Sequence, residues 1–356
     1  MRRKTVGLYT PYLDIMGGGE KHILSILKVF DDAGYNTILF WNSDLSAEIQ
    51  NKLKLTFAHL RFEKDLKSMT FFEKARKISP LDWLLYVTDG SYFFSPAKKT
   101  AVFCMVPDKK LYNLSPLNSL KTANALFIAN SHFTASWLHK WGIQSRVVYP
   151  YVSEELFDEK PRQRKPVILT VGRFFKHLHA KRQQDLIRTF LRFHSHHPEY
   201  SLVLAGGVKQ EDEQYVAELR HEFPQPFIQF KTNIPFSELR VLYIDAMMYW
   251  HFTGFGIDSH AHPEQVEHLG MTPLEAMASR TVPFCFNAGG PRELIENGKN
   301  GFLFNSSEEL LKQTSYFLNT PSLQSRVSES AYQFVHRSFR YNQFTQYVKK
   351  YFTLRK

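Results

Sequence analysis

The chain has 356 residues, too many for one ordinary α/β domain and enough for two domains of about 150 residues each. Hydrophobic residues make up 43%, and both cysteines, Cys104 and Cys285, lie in apolar runs, which favours reduced thiols and a cytoplasmic location over a disulfide scaffold. No apolar run approaches about eighteen residues and the amino terminus has no apolar signal core, so we expect neither a membrane-spanning helix nor a secretion signal.

The net charge of +11 is unevenly distributed. Residues 52–121 contain 13 Lys/Arg and 6 Asp/Glu, a net of +7, and aromatic residues are interleaved with them. This segment could be a solvated basic face, a surface for an anionic membrane, or a contact for a phosphorylated substrate. Nucleic acid is not indicated, because no nucleic-acid-binding motif accompanies the charge.

Short apolar runs alternate with amphipathic stretches along the chain, which is typical of parallel sheets with helices on both faces. In the first half we predict strands over 5–9, 37–41, 83–87, 100–106 and 125–129, and helices over 22–31 and 133–141. A polar, proline-flanked segment over 149–165 indicates a linker. In the second half we predict strands over 167–171, 201–205, 227–230, 247–250 and 282–286, helices over 182–194, 211–222 and 237–245, and long amphipathic helices from 321 onward.

This order predicts two doubly wound, Rossmann-like α/β domains that face a central cleft. We assign residues 1–155 to the first and 156–335 to the second, and expect the C-terminal helix over 336–356 to pack back towards the first domain. Ligands of such sheets bind beyond the carboxyl ends of the strands, so the strand-to-helix turns are where site residues are expected.

A glycine-containing turn follows the first strand of each domain. Gly17-Gly18-Gly19 precedes a helix and could present backbone N–H groups to a phosphate or an acceptor, or could be a flexible turn. Gly172-Arg173 follows the strand at 167–171, and Lys181 lies eight residues beyond Arg173. Two cations near one strand end suit a diphosphate, although a solvated basic loop that includes Lys176, His177 and His179 is the alternative. The Ala205-Gly206-Gly207 turn indicates close packing or contact with a cofactor.

Two carboxylates, Glu267 and Glu275, flank a loop that enters a helix. Thr272 is a suitable N-cap, and Thr272 with Glu275 fits a capping box, which would give Glu275 a structural role. Glu267 has no such local explanation, so a functional carboxylate and a solvated loop residue both stay open. The turn over 296–301 predicts a hairpin leading into 302–304.

A metal site is not predicted. Histidine and acidic residues gather in the loop before Glu267, but their spacing matches no zinc signature. The sequence also lacks an Asp-x-Asp pair near a strand end and a Gly-x-Ser-x-Gly nucleophile motif. The histidines and acids concerned are His251, His260, His262, His268, Asp258 and Glu264.

Taken together, these turns resemble the family 4 glycosyltransferases, retaining enzymes of the GT-B fold. The resemblance implies that Arg173 and Lys181 hold the diphosphate of a nucleotide-sugar donor, beside Gly172, and that Glu275 binds the ribose. It implies that Glu267 lies by the donor sugar hydroxyls. The amides of Gly270, Met271 and Thr272 would then touch the sugar or its phosphate.

Two departures from the family pattern are visible. Residues 103–107, Phe-Cys-Met-Val-Pro, lack the histidine that many relatives carry near the sugar, and Arg280 replaces a small glycine. The Glu267-His-Leu-Gly270 form resembles a subgroup that includes enzymes elongating lipid-linked oligosaccharides.

The hypothesis is therefore retaining, metal-independent transfer of a hexose from GDP-mannose or a UDP-sugar, as co-substrate, to a glycan or lipid-linked acceptor held by the first domain. Arg173, Lys181 and Glu267 are the predicted catalytic residues. Such a protein would serve cell-surface polysaccharide or glycolipid synthesis, needs no further cofactor, and would be cytoplasmic or peripheral on the inner face of the membrane. The alternatives are a nucleotide-sugar epimerase of the same fold and a non-catalytic basic binding protein.

Overall fold

The computed structural model describes residues 2–13, 16–158, 160–175 and 181–354. These residues form two parallel α/β sheets, one of seven strands and one of six, which confirms the predicted fold class. The chain divides into a first unit, Met1–Tyr151 with Asn342–Lys356, and a second unit, Val152–Tyr341. Over the described ranges, no helix combines the length and the apolar character that crossing a bilayer requires.

Every strand pair in the first unit is parallel. The strands are β1 (Thr5–Tyr9), β2 (Asn36–Phe40), β3 (Leu60–Glu63), β4 (Trp83–Val87), β5 (Thr100–Cys104), β6 (Ala125–Ala129) and β7 (Ser145–Val147). The helices are α1 (Gly18–Asp32), α2 (Ser46–Glu48), α3 (Phe71–Ile78), α4 (Pro116–Thr122) and α5 (His132–Lys140). The order across the sheet is β3-β2-β1-β4-β5-β6-β7, so the winding reverses between β1 and β4. The sequence pattern misses β3 and β7, because both are short, partly exposed edge strands without a continuous apolar run.

The second unit repeats this topology. Its strands are β8 (Lys165–Val171), β9 (Ser201–Gly206), β10 (Ile228–Thr232), β11 (Ala246–His251), β12 (Val282–Phe286) and β13 (Phe302–Phe304). Its helices are α6 (Gln183–His194), α7 (Glu213–Glu222), α8 (Phe236–Asp245), α9 (Met271–Ala278), α10 (Pro291–Leu294), α11 (Ser307–Leu318) and α12 (Pro321–Ser338), and α13 (Tyr341–Tyr351) leads back into the first unit. The order β10-β9-β8-β11-β12-β13 reverses between β8 and β11. The hairpin prediction is wrong: β13 pairs parallel to β12, as an edge strand of the sheet.

Aromatic side chains fill much of the core of the second unit. Trp250, Phe190, Phe252 and Phe284 are each 1% exposed or less, and the rings of Phe284 and Phe302 stack with centres 4.5 Å apart. Burying one side chain of this size contributes about 1.5–3 kcal/mol. The core therefore holds the ends of β8, β11 and β12 in fixed positions.

The segment predicted as a linker is packed onto the second unit. The Asp158 carboxylate is 3% exposed and pairs with Arg162 at 3.0 Å, while the Asp158 N–H donates to the Ala278 carbonyl at 3.1 Å. Arg280 Nε donates to the Asp158 carbonyl at 2.7 Å, and the Arg280 guanidinium also pairs with Glu329. Arg280 has φ of +61°, the left-handed region that glycine adopts without strain, which accounts for the small glycine usual there in the resembled family.

The last helix packs against the first. The ring centres of Phe344 on α13 and His22 on α1 lie 5.9 Å apart. Those of Phe352, just beyond α13, and Phe30 on α1 lie 5.2 Å apart. His22 is 3% exposed, and burial lowers its pKa to about 3, so the ring is neutral. These contacts belong to the core of the first unit.

Candidate functional site

The candidate site lies where the strand order of the second sheet reverses, beyond the carboxyl ends of β8 and β11. Neighbouring crossovers leave in opposite directions at such a point, which opens a crevice between their loops. The Gly172-Arg173 turn follows β8, and His251 is the last residue of β11. The structure thus brings the predicted diphosphate turn to the switch point of its own sheet.

Glycine lets the turn after β8 pack closely against the turn after β9. The Gly172 N–H donates to the Ala205 carbonyl at 2.9 Å. A β-carbon on Gly206 would stand 1.9 Å from the Gly172 oxygen, so a larger residue could not keep this spacing. Of the two interpretations of Gly206, the structure supports close packing.

Arg173 projects from this turn as an exposed side chain. Its guanidinium carbon lies 5.2 Å from the centre of the Phe175 ring, and its carbonyl oxygen accepts a hydrogen bond from Gln183 Nε2 at 3.1 Å. Within the described ranges the guanidinium forms no ion pair, so its donors are available to a ligand. The other basic residues of this loop, Lys176, His177 and His179, lie outside the described residues.

An ion pair joins two of the turns singled out by the sequence. Lys181 Nζ lies 2.8 Å from Glu267 Oε2, and the two side chains are 22% and 17% exposed. The stem of Lys181 runs along Gly172, where an added β-carbon would come within 2.8 Å of Lys181 Cγ. Burial excludes the interpretation of Glu267 as a solvated loop carboxylate.

His251 contacts the same carboxylate, a role that the sequence pattern did not indicate. His251 Nε2 lies 3.1 Å from Glu267 Oε2 and 3.1 Å from Thr253 Oγ1, and the His251 side chain is 2% exposed. An ionised carboxylate only accepts hydrogen bonds, so the tautomer that fits carries its proton on Nε2. The sequence feature that could have indicated this role is the position of His251 at the end of a buried strand beside the switch point.

The charges of this cluster follow from burial and proximity. Burial alone would raise the pKa of Glu267, but the Lys181 cation and the hydrogen bond from His251 outweigh it and hold that pKa well below its usual range. Burial lowers the pKa of His251, and the attraction of Glu267 offsets this only in part. Near neutral pH the cluster therefore consists of a cation, a carboxylate and a neutral imidazole.

The helix after Glu267 begins earlier than the sequence predicts. Gly270, with φ of +106°, is the N-cap, and α9 starts at Met271, so Thr272 lies inside the first turn. The N-cap prediction for Thr272 is wrong because the left-handed backbone that glycine permits lets the helix start two residues sooner. The N–H groups of Gly270, Met271 and Thr272 donate to no other described residue, so they are available to a ligand at the helix start.

The two side chains of the predicted capping box form hydrogen bonds with buried tyrosines instead. The Tyr249 hydroxyl lies 2.7 Å from Thr272 Oγ1, and the Tyr243 hydroxyl donates to Glu275 Oε2 at 2.8 Å. Burial raises the pKa of both tyrosines far above the ordinary value, so they remain neutral donors. The capping-box prediction for Glu275 is therefore wrong. Tyr243 and Tyr249 gave no sequence signal, since each sits in an apolar stretch.

A second glycine pair fixes the backbone around Glu267. The Gly290 N–H donates to the Glu267 carbonyl at 2.7 Å, and a β-carbon on Gly289 would stand 2.1 Å from the same oxygen. A β-carbon on Gly290 would stand 2.3 Å from Leu269 Cα. The turn before α10 thus holds the loop that carries Glu267 and Gly270.

The glycines of the first unit form the start of α1. Gly17 is the N-cap, Gly18 and Gly19 are the first helical residues, and the Glu20 carboxylate accepts a hydrogen bond from the Gly17 N–H at 2.9 Å. A β-carbon on Gly19 would stand 2.8 Å from Met105 Sδ, so the glycine allows close packing there. Their role as a phosphate or acceptor loop stays a prediction.

The loop between β11 and α9 does not gather its histidines and acids into a cluster. In the part of the chain that the structure describes, no three His, Cys, Asp or Glu residues converge as metal ligands would. His251 is engaged by Glu267, and His268 Nε2 lies 3.2 Å from the Glu264 carbonyl.

A family model described as glycosyl transferases group 1 matches residues 152–334, just over half of the chain. The human GDP-Man:Man(3)GlcNAc(2)-PP-Dol alpha-1,2-mannosyltransferase is 28% identical over 208 residues, covering 53% of this chain and 39% of that protein. The lipopolysaccharide core biosynthesis mannosyltransferase LpcC of Rhizobium leguminosarum bv. viciae is 27% identical over 175 residues, covering 48% of this chain and 46% of that protein. The match spans less than half the length of either curated relative.

Two solved structures share the fold over nearly the whole chain. The glycosyltransferase from Rickettsia africae has a TM-score of 0.76 at 17% identity and covers 99% of this chain and 98% of that chain. Anabaena HepE, in complex with UDP and glucose, has a TM-score of 0.73 at 16% identity and covers 98% of this chain and 99% of that chain. Identities this low concern the fold alone, and the expected GT-B fold is confirmed.

Proposed function

Because this chain belongs to the glycosyl transferases group 1 family, we propose that it transfers a hexose from a nucleoside-diphosphate sugar to a glycan or lipid-linked acceptor, with retention of anomeric configuration. The observation that carries the proposal is the Lys181–Glu267 ion pair against Gly172, at the switch point of the second sheet. A fixed cation there suits a diphosphate, and an ionised carboxylate suits sugar hydroxyls. Cell-surface polysaccharide or glycolipid synthesis is the process that such a transfer would serve.

The leaving diphosphate gains negative charge in the transition state. Arg173 offers a bidentate guanidinium, Lys181 offers a point charge, and the N–H groups of Gly270, Met271 and Thr272 offer a helix start. Fixed donors of this kind stabilise developing charge without a metal ion, each lowering the barrier by about 2.7–4 kcal/mol. Glu275, oriented by a buried tyrosine, is the carboxylate assigned to the ribose hydroxyls.

The positions of the carboxylates favour attack from the side of the leaving group. A double displacement requires a carboxylate that can form a bond to the anomeric carbon. Glu267 Oε2 is held by Lys181 and His251, and Glu275 is engaged by Tyr243, so both fit binding roles. The departing phosphate oxygen then accepts the proton of the acceptor hydroxyl as that hydroxyl attacks.

The donor to test first is GDP-mannose. Both curated relatives described above are named mannosyltransferases, and one is named for a GDP-mannose donor. UDP-glucose is the second donor, because HepE of the same fold was crystallised with UDP and glucose. Lipid-linked saccharides are the first acceptors to test, since the human relative's name contains a dolichyl diphosphate oligosaccharide.

A donor screen followed by Arg173→Ala tests the proposal. We expect a thermal shift with one nucleotide sugar, transfer that persists in EDTA, and turnover reduced about a hundredfold or more in Arg173→Ala. Arg326→Ala removes an exposed arginine on α12 and should leave turnover unchanged. Conversion of the donor in the absence of any acceptor would point to an epimerase instead, and near-normal turnover of Arg173→Ala would reject the assigned site.

An anionic membrane surface is the proposed partner of the first unit. Phe71 and Phe72 on α3 are 67% and 82% exposed, and Leu117 and Leu120 on α4 are 56% and 64% exposed. The β3-to-β4 and β5-to-β6 crossovers step in the same direction along the sheet, so right-handed connections put α3 and α4 on one face. Exposed apolar side chains within a segment of net charge +7 suit a bilayer that carries acidic lipids.

Vesicle sedimentation tests this partner. Binding should be strong to phosphatidylserine vesicles at low salt, weak to phosphatidylcholine vesicles, and reduced as salt rises. Phe71→Ser with Phe72→Ser should weaken binding about tenfold or more, since each ring loses its burial in lipid. Phe236→Ser, at an exposed phenylalanine of the second unit, is the matched control. Equal binding of the double variant and the control would reject α3 as the docking helix.

A further inference from the structure

The proposed function assigns ligand groups to Lys181 and Glu267 but none to His251, the third member of their cluster. Lys181 Nζ and His251 Nε2 both contact Glu267 Oε2, at 2.8 and 3.1 Å. Across the described residues, Glu267 Oε1 accepts no hydrogen bond. The protein therefore holds one oxygen of the carboxylate and leaves the other to a ligand.

We infer that His251 is a positioning residue, which holds the Glu267 carboxylate so that its Oε1 is presented to a hydroxyl of the donor sugar. This inference rests on the proposed function, because it names the group that orients the sugar-binding carboxylate. It concerns the sugar part of the donor and leaves the nucleotide part to Arg173, Lys181 and Glu275.

The ring of His251 is fixed in one orientation. Thr253, 1% exposed, places its Oγ1 3.1 Å from the same Nε2 that faces Glu267. His251 Nδ1 is buried and has no hydrogen-bond partner among the described residues. The opposite tautomer would bury an unpaired N–H and turn a lone pair towards the carboxylate, so the proton stays on Nε2 and donates to Glu267.

Glu267 needs a second hydrogen-bond donor because Lys181 also serves the donor diphosphate. The proposed function assigns Lys181 to the donor diphosphate, yet its ammonium also contacts Glu267 at 2.8 Å. When a diphosphate arrives, it competes with Glu267 for the donors of Lys181. The hydrogen bond from His251 keeps the carboxylate in place while Lys181 is drawn towards the phosphates.

The groups that face the imidazole make this role specific. Lys181 and Glu267 are the charged neighbours among the described residues. Tyr249, on the same strand, stacks with ring centres 6.2 Å apart, and Cys285 lies opposite His251 in the register of β12. Burial raises the pKa of Tyr249 and of Cys285, so both are neutral. Glu267 is therefore the group whose pKa should change when His251 is replaced.

The test compares His251→Phe, His251→Gln and the control His260→Phe, which changes an exposed histidine in the loop after β11. Calorimetric titration with GDP, GDP-mannose, UDP and UDP-glucose gives, for each variant, the affinity ratio of sugar nucleotide to nucleotide. In His251→Phe this ratio should fall by about ten- to a hundredfold, the loss expected for a hydrogen bond to a charged group, while nucleotide affinity is retained. His251→Gln should keep the ratio, because its amide nitrogen reaches the position of Nε2, and His260→Phe should behave as wild type.

A pH series gives a second measurement that a purely structural role would not change. Without the hydrogen bond from His251 the pKa of Glu267 rises. As the pH is lowered, the affinity ratio of sugar nucleotide to nucleotide should therefore begin to fall at a higher pH in His251→Phe than in wild type. An unchanged ratio, or an equal loss of nucleotide and sugar-nucleotide affinity, would overturn the positioning role and leave the proposed function standing. A wild type that binds none of the four compounds would refute the proposed function, and the inference with it. If His251→Phe fails to fold, His251→Asn replaces it, because its shorter amide cannot reach Glu267, and equal ratios in His251→Asn and His251→Gln would also overturn the role.

Discussion

Replacing Lys181 with methionine isolates the charge that holds the buried cluster together. Methionine keeps an unbranched stem along Gly172 and removes the ammonium. In the wild type the pKa of Glu267 lies well below the ordinary value of 4.5. The pair therefore stabilises the fold at pH values above 4.5, and its contribution is lost as the pH falls through the depressed pKa.

The expected magnitude follows from the exposure of the pair. Removing one partner of a fully buried ion pair costs about 3–5 kcal/mol. Because Lys181 and Glu267 are 22% and 17% exposed, water reaches the carboxylate that is left, and we expect a deficit of about 1–3 kcal/mol near neutral pH. Without the ammonium the largest influence that lowers the pKa of Glu267 is gone, so this pKa rises from its wild-type value. A raised pKa gives stability that increases as the pH falls, so the deficit should shrink between about pH 7 and pH 5.

Urea unfolding followed by far-UV circular dichroism at these two pH values measures the deficit. In Lys181→Met with Glu267→Gln the pH dependence of the deficit should disappear, because no carboxylate remains to titrate. Lys165→Met is the matched control: Lys165 pairs with Asp245 at 2.7 Å, but its side chain is 67% exposed, so its loss should cost about 1 kcal/mol or less. A Lys181→Met deficit that is equal at both pH values, or no larger than that of Lys165→Met, would refute this account of the cluster.

Three further outcomes are expected. Gly206→Ala places a β-carbon 1.9 Å from the Gly172 oxygen and should lower both the unfolding free energy and the affinity for nucleotide, whereas unchanged melting would show that the two turns can separate freely. Tyr243→Phe removes one hydrogen bond to Glu275 and should cost about 0.5–1.5 kcal/mol in urea unfolding and weaken nucleoside diphosphate binding in calorimetry. Arg280→Gly relieves about 1–2 kcal/mol of left-handed backbone strain but loses a buried guanidinium with its partners, so net destabilisation by urea is expected, and a more stable variant would contradict it.

The central strands and the turns that follow them could be predicted because their signals are local. Buried parallel strands such as β4, β9 and β12 are continuous apolar runs in the sequence. Doubly wound sheets bring the carboxyl ends of such strands to one edge, so the rule of strand-end sites pointed to Gly172, Arg173 and Glu267 without coordinates. Edge strands β3 and β7 escaped prediction because partial burial leaves no continuous apolar run in either.

The partners of the site residues depend on contacts between distant parts of the chain. Glu267 meets Lys181 across 86 residues and His251 across 16, and Tyr243 meets Glu275 across 32. A local motif such as the capping box assumes that the nearest donor is the one used, whereas in the folded chain a buried tyrosine hydroxyl competes for the same carboxylate.

The sequence by itself determined the two-sheet α/β fold, the family resemblance and the residues gathered at the strand ends, because apolar periodicity and turn chemistry are properties of short segments. The tertiary structure alone decided that α9 starts at Met271 with Gly270 as its N-cap, that Glu275 is held by Tyr243, and that Glu267 has one oxygen held by Lys181 and His251. The physical reason is that hydrogen-bond partners and pKa values are set by burial and by side chains brought together through folding, which no local pattern encodes.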